Sequence, residues 1–375
     1  MKTSVDFFAE KILDGEAWAC SWEQDLSHPE RLEGLVSNTR TYEKRVFDLA
    51  SLTKVIVTSS LLVQVCEHEG RGGLVSWSEN TLLSDAIVEL KGTALEKLTL
   101  RECWEHRSGL SAYLEFSSDR SHFVGLADRA LVHARVIQQA INDSRRPNYS
   151  RTQVATLYSD LGYSLLGVFL ERKSAKTLDV LWESWKAQHL SRNTSTVASL
   201  SYQAEGSRRS EALQTETRHM AGLVNDDNTF AMGGIASHAG LFGSAFDVAI
   251  WIHAIWAWAR ISPYARDWLE TPCPKGQRFV LGWDTPSGEP ESQAGGLAAP
   301  PRVRGHLGYT GTALWLDPEM LRFGVLLTNR VHPKHTPESQ KSVQKLRWWC
   351  FEALWRGTLE AGWKTGDKIG AGLIS

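Results

Sequence analysis

The hydrophobic period of this chain changes twice, and that change restricts the architectures open to it. Apolar residues recur at helical spacing through Leu52 to Cys66, Leu126 to Ile141, Leu161 to Leu170 and Phe246 to Trp258. From Arg278 onward the period falls back towards two. The stretches RFVLGWD, RVRGHLG, TALWLDP and LRFGVLLTN predict successive short strands joined by tight turns. Upstream of the helical stretch, Glu16 to Glu23 alternates as a strand does, and Thr39 to Leu49 predicts another strand that leads into a helix at Ser51. A last helix is predicted from about Glu338 to Trp355. The layout is that of an α+β chain: an antiparallel sheet flanked by helices, divided by an inserted helical domain. The sheet domain is expected at about 1–68 and 270–375 and the helical insert at about 69–269, with a functional cleft between the two layers. Ser191 to Thr217, rich in Ser, Arg and Gln, and Pro286 to Pro301, rich in Gly, Pro and Ala, are expected to be flexible excursions.

Composition narrows the function classes. At 42% apolar and 22% charged residues with 16 Trp, the 375-residue chain can bury a large core. Its 41 Lys and Arg against 43 Asp and Glu leave a net charge of -2, so no electrostatic footprint for nucleic acid or an anionic membrane follows. Five cysteines at 20, 66, 103, 273 and 350 never form a C-x-x-C pair, which argues against a disulfide framework and a zinc knuckle. No organic cofactor or metal is expected. His332 and His335 flank a proline and have no neighbouring acid or Cys cluster, and Asn225 to Asn228 lacks calcium-loop spacing and predicts turns or helix caps. Asp6, Glu10 and Asp14 interrupt the start where a signal peptide needs an apolar run, and Asp247 to Ile261 is too short to cross a bilayer. A cytoplasmic protein without a membrane span is expected, or a periplasmic one if the start is misplaced.

Three motifs could carry chemistry. Ser51-Leu52-Thr53-Lys54 places an amine within reach of a hydroxyl on one helical face, at a helix start whose unpaired N–H groups can hold an oxyanion. Taken alone it also fits an ordinary N-cap. Ser342 to Lys345 repeats the spacing inside the last helix, where it reads as a solvated face. Tyr158-Ser159-Asp160 opens another amphipathic helix. Ser159 or Asp160 would serve as an N-cap there, while a phenol near a lysine could instead shuttle protons. Gly305 to Thr312, GHLGYTGT, lies between two predicted strands with glycines that allow a tight turn and close approach to a ligand.

The joint order of these motifs resembles a known family. FDLASLTK, then YSD, then GHLGYTGTALWLDPE is similar to the serine β-lactamase and penicillin-binding-protein superfamily, in its class C β-lactamase, DD-peptidase and esterase branch. EHRSGL at 105–110, MGGIASHAGLFGSAFDVA at 232–249 and LLTNRVHP at 326–333 resemble further stretches of that branch, so the likeness spans about 46–335. It implies a β-lactamase/transpeptidase-like fold, with Ser51 as the acylated nucleophile, Lys54 as its activating partner and Tyr158 sharing proton transfer. It further implies an oxyanion hole from the N–H groups of Ser51 and Tyr309, and substrate contacts from Asp160, His306, Leu307 and Gly308. A small-molecule or peptide acyl substrate follows, and a serine hydrolase acting on an ester or amide. The alternatives are a β-lactamase or DD-carboxypeptidase proper, or a penicillin-type fold that binds without catalysis.

Two of the motifs depart from the family pattern. Asp160 stands where Asn is usual, and an ionised carboxylate accepts hydrogen bonds but cannot donate them. His306-Leu307-Gly308 stands where Lys-Thr-Gly is usual, which removes the fixed cation and the hydroxyl that recognise the carboxylate of penicillins and D-Ala-D-Ala peptides. Efficient β-lactam hydrolysis is therefore not expected. His306→Lys should raise acylation by a chromogenic cephalosporin; an unchanged acylation rate would contradict this account of the motif.

Overall fold

The computed structural model describes residues 18–23, 46–70, 78–113, 128–151, 156–190, 200–202, 221–319, 322–331 and 335–356. Residues 1–17, which the sequence predicts to begin with a short amphipathic helix, the segment 39–45 and most of Ser191 to Thr217 lie outside these residues. Strands β1 (Trp18–Glu23) and β2 (Phe47–Asp48) precede a π-helical turn (Lys54–Ser59) that runs directly into α1 (Ser60–Glu69). The helical stretch holds α2 (Leu100–Trp104), α3 (Arg129–Asp143), α4 (Asp160–Ser174), α5 (Leu178–His189), β3 (Ser201–Tyr202), α6 (Asp227–Ala231), β4 (Leu241–Gly243), α7 (Ala245–Ala259) and α8 (Pro263–Glu270). The meander follows as β5 (Phe279–Val280), β6 (Trp283–Asp284), β7 (Arg304–Leu307), β8 (Ala313–Asp317) and β9 (Arg322–Leu327), and α9 (Pro337–Arg356) closes it.

Local chemistry explains the helix starts. Ser159 accepts from the Gly162 N–H at 3.0 Å, so it is the residue of Tyr158-Ser159-Asp160 that caps α4. Asp226 caps α6 through Thr229 N–H at 2.7 Å, the role expected for the 225–228 cluster. Ser244 and Asp247 form a reciprocal capping box on α7. The π turn was not legible from spacing. Within it the Ser59 hydroxyl donates to the Lys54 carbonyl at 3.0 Å and accepts from the Trp104 indole at 2.7 Å.

The larger sheet is antiparallel, in the order β1-β9-β8-β7-β6-β5. Its period-two alternation divides the apolar residues between two cores. Leu314, Leu316, Phe323, Val325 and Leu327 join the main core with the Trp-rich α7, whereas Ala313, Trp315 and Leu326 face α9 through Val343, Leu346, Phe351 and Leu354. Helix α7, from within the expected helical stretch, packs on β1 and β9. A second, three-stranded sheet in the order β2-β4-β3 ties the segment before Ser51 to that stretch. Among the described residues no helix is long and apolar enough to cross a membrane, and no group of three His, Cys, Asp or Glu could hold a metal ion.

The excursion Pro286 to Pro301 is not a loose one. Trp348 donates to the Pro290 carbonyl at 2.8 Å, Trp355 donates to the Ala294 carbonyl, and Arg347 donates to the Gln293 side chain at 2.9 Å. Two of the last helix's tryptophans thus fasten this loop through their indole N–H groups, in addition to packing.

Strand β7 approaches β8 so closely that a Cβ on Gly305 would lie 2.3 Å from the Leu314 carbonyl oxygen and from the Trp315 ring. Gly305→Ala must therefore displace backbone or a buried indole, at a cost on the order of 2 kcal/mol. A fall in Tm of about 2 to 3 °C is expected by calorimetry, and an unchanged Tm would contradict the close approach.

Candidate active site

The backbone just before Ser51 is strained. Ala50 adopts φ 48°, a left-handed conformation that L-residues other than Asn and Asp seldom take. It is held there because the buried Asp48 carboxylate accepts from Ala50 N–H at 2.9 Å and from Asn225 N–H at 2.6 Å. Burial raises the Asp48 carboxyl to about 6, partly offset by these two N–H groups. The sharp turn brings Ser51 out at the head of the π turn, where it lines a cavity of about 430 Å³ together with Tyr158, Asp160, Phe279, His306 and Tyr309.

Lys54 lies on the same face and is fully buried. Its Nζ donates to Ser51 Oγ at 3.0 Å and to the His238 carbonyl at 2.9 Å, and it meets Asp160 Oδ1 at 2.6 Å. Burial opposes the ammonium, but Asp160 and then Tyr158 outweigh it, and the lysine stays above its ordinary value. His238 is itself fixed: Ser164 and Thr229 contact its two ring nitrogens at 3.2 and 3.1 Å, and Asp226 meets Nε2 at 3.1 Å. The SHAGLFG stretch thus reaches the site through a backbone oxygen.

Tyr158 lines the cavity with Ser51, and Lys54 Nζ lies 5.0 Å from the centre of its ring. Burial raises its phenol and the Lys54 charge pulls it back. His106 supports it from behind, its ring stacked at 4.2 Å and its Nδ1 accepting from the Ser159 N–H at 3.0 Å. Burial, then the Lys54 charge, depresses His106 well below the ordinary histidine value, so it stays neutral. His106 also has a positive φ of 55°, so left-handed strain lies beside both Ser51 and Tyr158.

The third motif is strapped onto the turn before Ser51. Thr310 donates to the Asp48 carbonyl at 2.7 Å and Thr312 donates to the Leu49 carbonyl at 3.0 Å. A Cβ on Gly308 would sit 2.0 Å from Thr312 Oγ1 and 2.9 Å from the Leu49 oxygen, so only glycine allows this approach. Tyr309, 52% exposed, stands at the rim between the Arg330 guanidinium, 4.8 Å from its ring, and the stacked His335 ring at 5.4 Å. Leu307 lines the cavity at the end of β7. The repeat at Ser342 to Lys345 stays on the helix surface, with Lys345 exposed.

Arg347 was missed by sequence reasoning. From α9 its Nη2 donates to the carbonyls of Gly308 and Thr312, both at 2.7 Å, and Gly308 N–H donates to the same Thr312 carbonyl at 2.7 Å. One buried guanidinium therefore clamps both ends of the loop that carries Tyr309. Burial, with some help from the Arg330 charge, pushes Arg347 down to about 9. Arg278 and Asp284 form a bidentate pair at 2.8 and 2.7 Å across the opposite wall.

The family model described as Beta-lactamase matches residues 34–346. The chain is 26% identical over 327 residues to an N-acetylmuramyl-L-alanine amidase of Bacillus subtilis (strain 168), covering 80% of this chain and 71% of that protein. It is 23% identical over 373 residues to a provisionally named D-alanyl-D-alanine carboxypeptidase of Salmonella agona (strain SL483), covering 88% and 79%. Among solved structures, a class C beta-lactamase superposes with a TM-score of 0.56 at 14% identity over 87% of this chain and 84% of its own. A beta-lactamase/D-alanine carboxypeptidase of Yersinia pestis superposes with a TM-score of 0.54 at 15% identity, over 81% and 83%. The fold is that of the class C enzymes, and the matched span includes all three motifs that surround the cavity. The chain belongs to the β-lactamase family.

Proposed function

We propose that this protein is a serine hydrolase that forms an acyl-enzyme on Ser51 from an ester or amide substrate. The observation that carries the reading is the contact of the Lys54 ammonium with Ser51 Oγ inside a cavity that also holds Tyr158. Because Asp160 holds Lys54 charged, the proton of Ser51 is assigned to the ionised Tyr158 oxygen; burial keeps the phenol above its ordinary value, and the neighbouring ammonium offsets part of that cost. Tyr158 acts as its phenolate, its own proton having passed to water in the cavity; Ser51 Oγ bonds to the scissile carbonyl carbon as the carbonyl π electrons move onto oxygen and the Ser51 proton passes to the phenolate. Tyr158 returns the proton to the departing amine or alcohol as the old bond breaks, and a water then repeats the sequence to release the acid. The N–H groups of Ser51 and Tyr309 are assigned to the developing oxyanion. The named activities of the relatives, a muramyl-alanine amidase and a D-alanyl-D-alanine carboxypeptidase, support a cell-wall-derived peptide or amide as substrate. A binder without catalysis would not need a buried lysine held against a serine and a tyrosine.

Intact mass after treatment with a fluorophosphonate, and separately with penicillin, tests this in wild type and Ser51→Ala. One fluorophosphonate adduct on wild type, lost in Ser51→Ala, is expected, with little or no penicillin adduct. No adduct on folded wild type would overturn the proposal. Arg347, as a positioning residue for the oxyanion loop, gives a second test. Arg347→Met should lower kcat about 100-fold with KM changed less than about 3-fold, and Arg347→Lys should restore part of the loss. A change confined to KM would place Arg347 in substrate binding instead.

A further inference from the structure

Both departures from the family pattern act in the same direction. In place of an amide and an ammonium, each of which donates hydrogen bonds, the cavity walls carry a carboxylate and an imidazole. The state of the imidazole follows from geometry. His306 Nδ1 lies 2.9 Å from the Leu307 carbonyl, which has no proton to give, so Nδ1 carries the hydrogen and Nε2 presents a lone pair. The residue is 1% exposed, lines the cavity, and its Nε2 has no partner among the described residues. Burial, with the nearby charge of Lys54, lowers the ring to about 3, so it remains neutral at any physiological pH. Asp160, on the wall nearer Lys54, uses Oδ1 on the ammonium and keeps 19% of its side chain exposed where it lines the same cavity. A carboxylate can only accept.

A buried acceptor left without a donor is costly, and such a group in a cavity wall favours a guest that satisfies it. The charges nearby say what kind of donor fits. Arg330 and Arg347 line this space together with Arg278, which is paired with Asp284, and the buried Lys54 lies behind Ser51, so an ammonium guest would face like charge. A carboxylate guest would meet the lone pairs of His306 and Asp160.

Resting on the Ser51 reading, we propose that the site selects acyl substrates presenting uncharged hydrogen-bond donors, amide N–H or hydroxyl, to His306 Nε2 and Asp160. The third motif then recognises a donor where relatives with lysine recognise a carboxylate.

Two matched pairs of esters test this as protectants of Ser51 against fluorophosphonate labelling. The 4-nitrophenyl esters of N-acetylglycine and N-acetylsarcosine differ by one N–H on the acyl side. 2-Hydroxyethyl and 2-methoxyethyl benzoate differ by one O–H on the leaving-group side. Wild type should be protected at a concentration at least about 10-fold lower by the donor member of at least one pair. His306→Phe, which keeps the ring and removes the lone pair, or Asp160→Asn should bring that ratio to within about 2-fold, with Tm reporting that each variant is folded. Equal protection by both members of both pairs would overturn the proposal, and so would a ratio unchanged in both variants. The same pairs are compared by thermal shift on Ser51→Ala. A donor preference that survives there while wild type resists labelling would sink the nucleophile and keep the recognition, so the two failures are distinguishable.

Discussion

The site is organised around one buried ammonium. Lys54 has no access to solvent, and a charge in that position is tolerated only when fixed polar partners replace the water it has lost. One of its three partners, Ser51, belongs to its own turn, and two come from distant parts of the chain: Asp160 from the head of α4 and the His238 carbonyl from the approach to β4. Each partner is in turn secured. Ser159 caps α4, Asp226 steadies the His238 ring, and the Asp48 carboxylate holds the turn before Ser51. Removing Asp160 would leave an uncompensated charge at the point where the sheet and the helical layer meet.

Asp160 also changes the chemistry that can be assigned to the lysine. A neutral amide there would leave Lys54 free to lose its proton, whereas a carboxylate at 2.6 Å holds it charged. Lys54 is then better suited to stabilising a phenolate and orienting a serine than to abstracting a proton. Left-handed backbone at Ala50 and His106 shows that the surrounding fold spends stability to keep Ser51 and Tyr158 in place.

Much of this was legible in the sequence. The meander after Arg278 and the helices at Leu161 to Leu170 and Phe246 to Trp258 appear within a few residues of their expected positions, because long amphipathic or alternating runs leave few other ways to bury apolar surface. Ser51, Lys54, Tyr158, Asp160 and His306 come together around one cavity or in contact with its lining. What escaped had no local signal. Arg347 sits in a helix among residues that pack on the sheet, where a single arginine belongs to no motif, and its role depends on a contact made across 39 residues of chain. His238 acts through a backbone oxygen, which no residue type announces. The loop from Pro286 to Pro301 has the composition of a flexible segment, yet it is held from outside by indole and guanidinium donors on α9.

The reach of α9 has a temporal consequence. The Ser51 segment is made early in synthesis, and the strand bearing His306 late, but the clamp on the Gly308 to Thr312 loop arrives only with residue 347. A nascent chain, or one cut short before α9, would hold a serine and a lysine beside a loop that lacks its guanidinium clamp. On the proposed reading of Ser51, competence to attack an acyl group would follow the docking of α9, and a chain made only as far as β9 would be poorly equipped for it.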